Sequence, residues 1–190
     1  LLSVFPFDQI TPEKTPELAK AAMVSLRRRI GPPEVWGKTD LYMMNFARAY
    51  WALTSARLYD AQFAHQALRS AQTDVTTDNL FVCHAPMKKG YQNMLNVEGW
   101  RIYELDGNTG FTASVAEMLL QSQAGVINLL PALPKEWPEG SVRGLRARGG
   151  YSVDFDWQDG KLTRCCVRSA LHGDCMVRYA GKTVKTVLTH

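Results

Sequence analysis

Asp106 opens a short run, Asp106-Gly107-Asn108-Thr109-Gly110, that sets a carboxylate, an amide and a hydroxyl close together in the chain. A carboxylate so placed can accept a proton, or polarise an amide that does, which is the work of general-base catalysis. The same run is turn chemistry. Asp-Gly and Asn leave the helical region readily, and Asn108 or Thr109 can cap a following helix. From spacing alone the turn is the stronger reading. A helix N-terminus fits both roles, because it stabilises an anionic carboxylate.

Few other residues invite a chemical role. His84 stands beside Pro86 in an irregular stretch from about Leu80 to Ile102. Long loops in compact domains often carry sites, so His84 is a candidate for a pocket, although a lone histidine is more often structural. Trp100 and Trp36 flank helical segments and can stack on a sugar ring; core packing is the commoner use of such rings. Trp51, Trp137 and Trp157 read as packing. Asn79 and Asn108 can hydrogen-bond a sugar but fit turns equally well. His65 falls on a helix and is expected at the surface. Ser114 and Ser122 have no companion base, which argues against a Ser/His/Asp hydrolase. Gly149-Gly150 precedes a strand rather than a helix and is no phosphate loop. No His, Cys, Asp or Glu cluster has metal-ligand spacing, and no cofactor is expected.

The elements that must position these residues change character near Gly125. Thr15-Pro16-Glu17 predicts a helix start, with a capping hydroxyl, a first-turn proline and an acid. Leu18, Ala22, Ser25, Leu26 and Arg29 follow at helical spacing, and Gly31-Pro32-Pro33 ends the run. A second helix is expected from about Asp40 to Tyr59, with an apolar stripe wide enough for burial on more than one side. A third is expected from about Ala61 to Ala71 and a fourth from about Thr112 to Ala124. Beyond Gly125, Val126 to Leu130 reads as a short strand. Tyr151, Val153, Phe155 and Trp157 alternate with polar residues, as in a half-buried strand. Asp159-Gly160 is a tight hairpin turn, and Leu162–Ser169, Cys175–Tyr179 and Lys182–Leu188 read as further strands. The chain thus divides into a helical part, residues 1–125, and a β-rich part, residues 126–190. Helices followed by strands mean segregated units, mainly α and then β.

Composition excludes several classes. The 190 residues are 46% hydrophobic, too apolar for a disordered chain. No apolar run approaches the roughly 20 residues of a membrane helix, so no membrane partner is expected. The net charge is +4, but no basic stripe interleaves with aromatics, so nucleic acid is not expected either. Cys83, Cys165, Cys166 and Cys175 form no C-x-x-C pair. Cys165 and Cys166 are neighbours on a predicted strand and face opposite ways. At most one of them reaches Cys175, as a disulfide or as free thiols. Leu1 to Pro6 reads as the middle of a longer chain, and the broad apolar faces of the helices suggest that they pack against further helices.

Three ordered stretches carry a family resemblance. The first comprises Asn79-Leu80-Phe81 and His84, leading to Leu105-Asp106-Gly107-Asn108-Thr109-Gly110. The second is Ala116-Glu117-Met118-Leu119-Leu120-Gln121-Ser122. The third is Leu129-Leu130-Pro131-Ala132-Leu133-Pro134, then Trp137, Gly140, Val142 and Gly144 to Gly150. Together they resemble the C-terminal part of the α-L-fucosidases of glycoside hydrolase family 95. The resemblance implies part of an (α/α) six-hairpin toroid followed by a small antiparallel β domain. It implies exo-acting, inverting cleavage of α-L-fucosyl linkages on a fucosylated oligosaccharide or glycan, and a secreted or periplasmic enzyme. In that family a Glu is the acid, and asparagine amides polarised by an Asp activate water. The Asp falls on Asp106, with His84, Asn108 and Trp100 as candidate substrate contacts. The acid and the asparagines fall upstream of Leu1, so the upstream part of the same enzyme is the expected partner and this chain alone is expected to be inactive.

The pattern is not complete. Ile102-Tyr103-Glu104-Leu105 stands where the family usually has Pro-Phe-Gln-Ile, Thr109 replaces a usual Phe, and Gln123 replaces a usual His, both at positions expected near the pocket. Two alternatives follow: the same chemistry on α-L-galactosides, which differ by a hydroxyl at C6, and a non-catalytic carbohydrate-binding or interface module.

Overall fold

A computed structural model describes residues 1–32, 34, 36, 45–74, 76–82, 103–169 and 173–188. Within these, four helices precede seven strands: α1 (Pro16–Ile30), α2 (Asn45–Arg57), α3 (Ala61–Asp74), α4 (Leu105–Leu119), β1 (Leu120–Gln121), β2 (Ile127–Leu129), β3 (Gly140–Ala147), β4 (Tyr151–Gln158), β5 (Lys161–Ser169), β6 (Gly173–Tyr179) and β7 (Lys182–Leu188). Among the described residues no helix is long and apolar enough to cross a membrane.

Local signals set the ends of α1. Pro16 occupies its first turn with Glu17, Arg27 to Arg29 close its last turn, and the Gly31 N–H donates to the Arg27 carbonyl at 3.0 Å. Charges of these signs at these ends favour the helix dipole. Thr15 does not cap the helix through its side chain. Its hydroxyl instead donates to the Thr11 carbonyl at 3.2 Å and accepts the Thr11 N–H at 3.0 Å. The buried seam of α1 is Ala19, Ala22, Leu26 and Ile30, while Leu18 is exposed.

The helical half is organised by α2 and α4. Ala49 lies against Gly110, the Ser114 hydroxyl reaches the Ala49 carbonyl at 3.3 Å, and the Gln121 amide donates to the Ala56 carbonyl at 2.8 Å. The contacts advance together along both helices, so α2 and α4 run parallel, with α3 as the return between them. This puts the N-terminal ends of α2 and α4 on one side of the molecule. The approach is close because Gly110 has no Cβ: one added there would meet the Ala49 Cβ at 2.7 Å. As the wide stripe predicted, α2 is buried on several sides, including Trp51, Ala52, Leu53 and Ala56.

The fourth helix departs from the sequence reading at both ends. It begins at Leu105 rather than near Thr112, so the Asp-Gly-Asn-Thr-Gly run is helix and not a turn. Glycine costs roughly 1 kcal/mol in a helix, which makes the run look like a break; packing of Gly110 on Ala49 offsets that cost. It ends at Leu119, and Leu120–Gln121 turns extended to pair with β2, short of the expected end at Ala124.

In the β-rich half, β3-β4-β5 form one antiparallel sheet and β1-β2-β6-β7 a second. The second is mixed: β2 pairs parallel with β6 (Ile127 opposite Val177), a departure from the wholly antiparallel expectation. The sheets share a core of Leu119, Leu120, Ile127, Leu129, Ala147, Val153, Phe155, Trp157 and Cys175. The helical core centres on Leu26, Trp36, Trp51, Phe63, Leu68 and Met118, and Val115 and Trp137 pack against both. Trp36 is therefore core. So is Trp157, whose indole donates to the Trp137 carbonyl at 3.0 Å. His65, expected at the surface, instead meets the Trp137 ring edge-on at 5.7 Å, with Glu136 at 3.4 Å, and burial lowers its pKa. Cys165, Cys166 and Cys175 are free thiols.

Candidate active site

Asp106 is the second residue of α4 and is exposed. One carboxylate oxygen accepts the Gly107 N–H at 3.0 Å. The N-terminal ends of α2 and α4 lie together, and helix N-termini carry partial positive charge. A carboxylate here can polarise an amide or orient water.

The approach to Asp106 is built by hydrogen bonds that converge on the start of α4. The Val82 N–H donates to the Asn108 side-chain oxygen at 3.0 Å, and the Asn108 amide nitrogen donates to the Leu80 carbonyl at 3.2 Å. The Glu104 N–H donates to the Val82 carbonyl at 3.0 Å. Thr77 closes the loop from the other side: its N–H donates to the Phe81 carbonyl at 2.8 Å and its hydroxyl accepts the Phe81 N–H at 3.1 Å. Asn108, proposed from sequence as a substrate contact, thus gives a donor and an acceptor to backbone. The strapping brings the Phe81 and Tyr103 rings together at 4.5 Å between centroids, tilted by 45°. Sequence reasoning did not find this pair, whose members are distant in the chain.

Other expectations meet the structure unevenly. His84 and Trp100 lie outside the described residues. Thr109 sits one turn along α4 from Asp106, its hydroxyl donating to the Leu105 carbonyl at 3.0 Å. Gln123, expected near the same pocket, is elsewhere. It lines a cleft with Glu13, Tyr59, Gln121, Asn128 and Arg178. Asp106 and this cleft are separated by the length of α4, about 20 Å at 1.5 Å per residue. The cleft is an internal clasp. Tyr59 and Arg178 both bond Glu13, and the Asn128 amide donates to the Tyr59 hydroxyl at 2.8 Å. Burial, and then Glu13, hold Tyr59 in its phenol form. Glu117 is likewise engaged, in a two-point ion pair with Arg57 at 2.6 and 3.1 Å.

Comparison with known proteins adds an independent line. The family model for the "Glycosyl hydrolase family 95 catalytic domain" matches residues 1–119. The model for "Glycoside hydrolase family 95, C-terminal domain" matches residues 121–189. "Alpha-L-fucosidase 2" of Arabidopsis thaliana is 35% identical over 174 residues, covering 85% of this chain and 18% of that protein. "Probable alpha-fucosidase A" of Aspergillus oryzae is 38% identical over 65 residues, covering 29% of this chain and 9% of that protein. The chain therefore spans less than a fifth of the length of these relatives. With its helical part and its β-rich part each matched in order by the corresponding model, the chain belongs to glycoside hydrolase family 95.

Proposed function

We propose that this chain is the C-terminal portion of an exo-acting, inverting glycoside hydrolase that removes α-L-fucosyl groups, and that Asp106 is its contribution to catalysis. The observation that carries the reading is the placement of Asp106: an exposed carboxylate at the N-terminus of α4, on the side where α2 also begins. The parallel pair α2 and α4 with α3 returning between them supports a segment of an (α/α) toroid, in which residues 1–125 complete a ring and residues 126–190 form the β domain. The enzyme is read as secreted or periplasmic.

The chemistry asks for two groups. An acid protonates the leaving oxygen while an activated water attacks the opposite face of the sugar. An amide is a feeble base by itself, and a carboxylate hydrogen-bonded behind it makes its oxygen a better acceptor. Asp106 fills that second place, and the amides and the acid come from the upstream part of the same enzyme. Residues 1–190 alone then bind no complete transition state and turn nothing over.

The test is an assay of the enzyme containing this chain and its upstream segment, as wild type and as Asp106→Asn, on aryl α-L-fucoside and aryl α-L-galactoside. The expected result is a loss of about 10²-fold or more in kcat for the variant, with the β-anomer released first by NMR. Unchanged kcat removes Asp106 from the mechanism. A retained anomer refutes the inverting reading, and preference for the galactoside moves the substrate class to α-L-galactosides.

A further inference from the structure

We propose that the Phe81–Tyr103 ring pair is a stacking platform for the sugar unit from which the fucosyl group is released, a proposal that rests on the fucosidase reading above. Ordinary surfaces scatter their apolar residues singly, and a cluster of them marks a contact site. Here Leu80 is 74% exposed, Phe81 47%, Tyr103 43% and Leu105 63%, all at the start of α4. The two rings meet at 4.5 Å and still keep about half their surface in water.

The pair is also held in place. Both backbone groups of Phe81 are bonded to Thr77 at 2.8 and 3.1 Å, and both of Val82 are bonded, to Asn108 and Glu104, each at 3.0 Å. Exposed aromatics on a fixed backbone lose little freedom on binding, which is what makes a good contact surface. Their neighbour is Asp106, three residues after Tyr103. Aromatic faces suit an amphipathic ligand such as a sugar ring, whose C–H face stacks while its hydroxyls stay in water.

Geometry selects the leaving sugar rather than the fucosyl group. An exo-acting site encloses the terminal sugar, and the rest of the glycan emerges at the rim. Rings half open to water are a rim and not a pocket floor. Two rings are also far below the roughly 800 Å² per partner of a stable protein contact, which disfavours a separate protein as the occupant.

The experiment uses the enzyme containing this chain and its upstream segment, as wild type, Phe81→Ala, Phe81→Leu and Tyr103→Phe. The substrates are a fucosylated trisaccharide and α-L-fucosyl fluoride, whose leaving group is a single atom. Phe81→Ala and Phe81→Leu should raise KM for the trisaccharide about tenfold, as expected for one lost stack, with kcat unchanged. Both should stay within about twofold of wild type on the fluoride, and Tyr103→Phe, which keeps the ring, should stay near wild type on both. Phe81→Leu keeps the apolar bulk and carries the test if Phe81→Ala does not fold. Wild-type KM for the trisaccharide in Phe81→Leu overturns the platform. So does an equal loss on both substrates, which marks a structural role or a covering protein segment. A wild-type enzyme inert to both substrates refutes the fucosidase reading itself.

Discussion

The backbone N–H of Val82 donates to the side-chain oxygen of Asn108 at 3.0 Å, tying an exposed loop to the second turn of α4. The same side chain donates to the Leu80 carbonyl at 3.2 Å. One residue therefore fixes the loop against the helix that carries Asp106. Asn108→Ala should free the loop at a cost of about 1–2 kcal/mol for two lost hydrogen bonds. Hydrogen exchange in the enzyme containing this chain reads this directly: the Val82 amide should exchange on the order of tenfold faster or more. Asn108→Asp keeps the acceptor for Val82 and should retain most of the protection. Undiminished protection in the alanine variant would show that the strap is held by Thr77 and Glu104 alone.

Gly110 supports a second prediction. Alanine is worth about 1 kcal/mol more than glycine inside a helix, so Gly110→Ala ought to stabilise α4 considered by itself. In the fold its new Cβ would lie 2.7 Å from the Ala49 Cβ. Overpacking of this kind costs about 1–3 kcal/mol, and the variant should melt below wild type. Gly110→Ala with Ala49→Gly reverses the clash and should recover most of the loss. A Gly110→Ala variant as stable as wild type would mean that the two helices part without cost.

These cases mark what was legible in the sequence. The ends of α1 were, because Pro16, Glu17 and Gly31 act within one turn. Its seam was legible in part: Ala22 and Leu26 are buried as expected, but Ala19 rather than Leu18 joins them, because both are apolar and only the packed neighbours choose between them. The start of α4 was hidden because Gly107 and Gly110 look like a turn until Ala49 of α2 is laid against Gly110. The three residues of β2 say nothing about orientation, and their parallel partner β6 lies far along the chain. Asp106 could be singled out by its residue type, but the Phe81–Tyr103 pair could not: it is brought together by Asn108, Glu104 and Thr77, each of which reads as an ordinary polar residue.

Acid should weaken the β-rich half through Asp154. Its carboxylate is bonded to Arg168, which is the main cause of its lowered pKa, and it accepts the Gly144 N–H at 2.7 Å. A carboxyl held below its ordinary value near ~3.9 contributes fully above that pH. The contribution fades as pH falls through the lower folded value. Wild type should therefore lose stability below about pH 4, and Asp154→Asn should be weaker at pH 7 but lose less on acidification. Urea midpoints at pH 7 and pH 3 compare the two; parallel losses in both proteins would assign the acid sensitivity to other carboxylates.

Arg57 and Glu117 support the last prediction. Two bonds of 2.6 and 3.1 Å join them, the Arg57 side chain is only 4% exposed and that of Glu117 21%, and Arg57 also lies over the Phe5 ring at 5.3 Å. The pair links α2 to α4 at the end away from Asp106 and gathers the N-terminal segment onto both. A buried pair adds little compared with apolar residues of the same volume, but removing one partner strands a charge and costs about 3–5 kcal/mol. Glu117→Gln should approach that loss, which would make it among the most destabilising single changes in the helical half. Arg57→Met with Glu117→Leu removes both charges and should regain most of it. Comparing urea midpoints of the single and double variants separates the two terms. If Glu117→Gln costs under about 1 kcal/mol, water reaches Arg57 and the pair behaves as a surface ion pair; if the double variant is no better than the single, the loss comes from geometry that only Arg57 supplies, its stacking on Phe5 included.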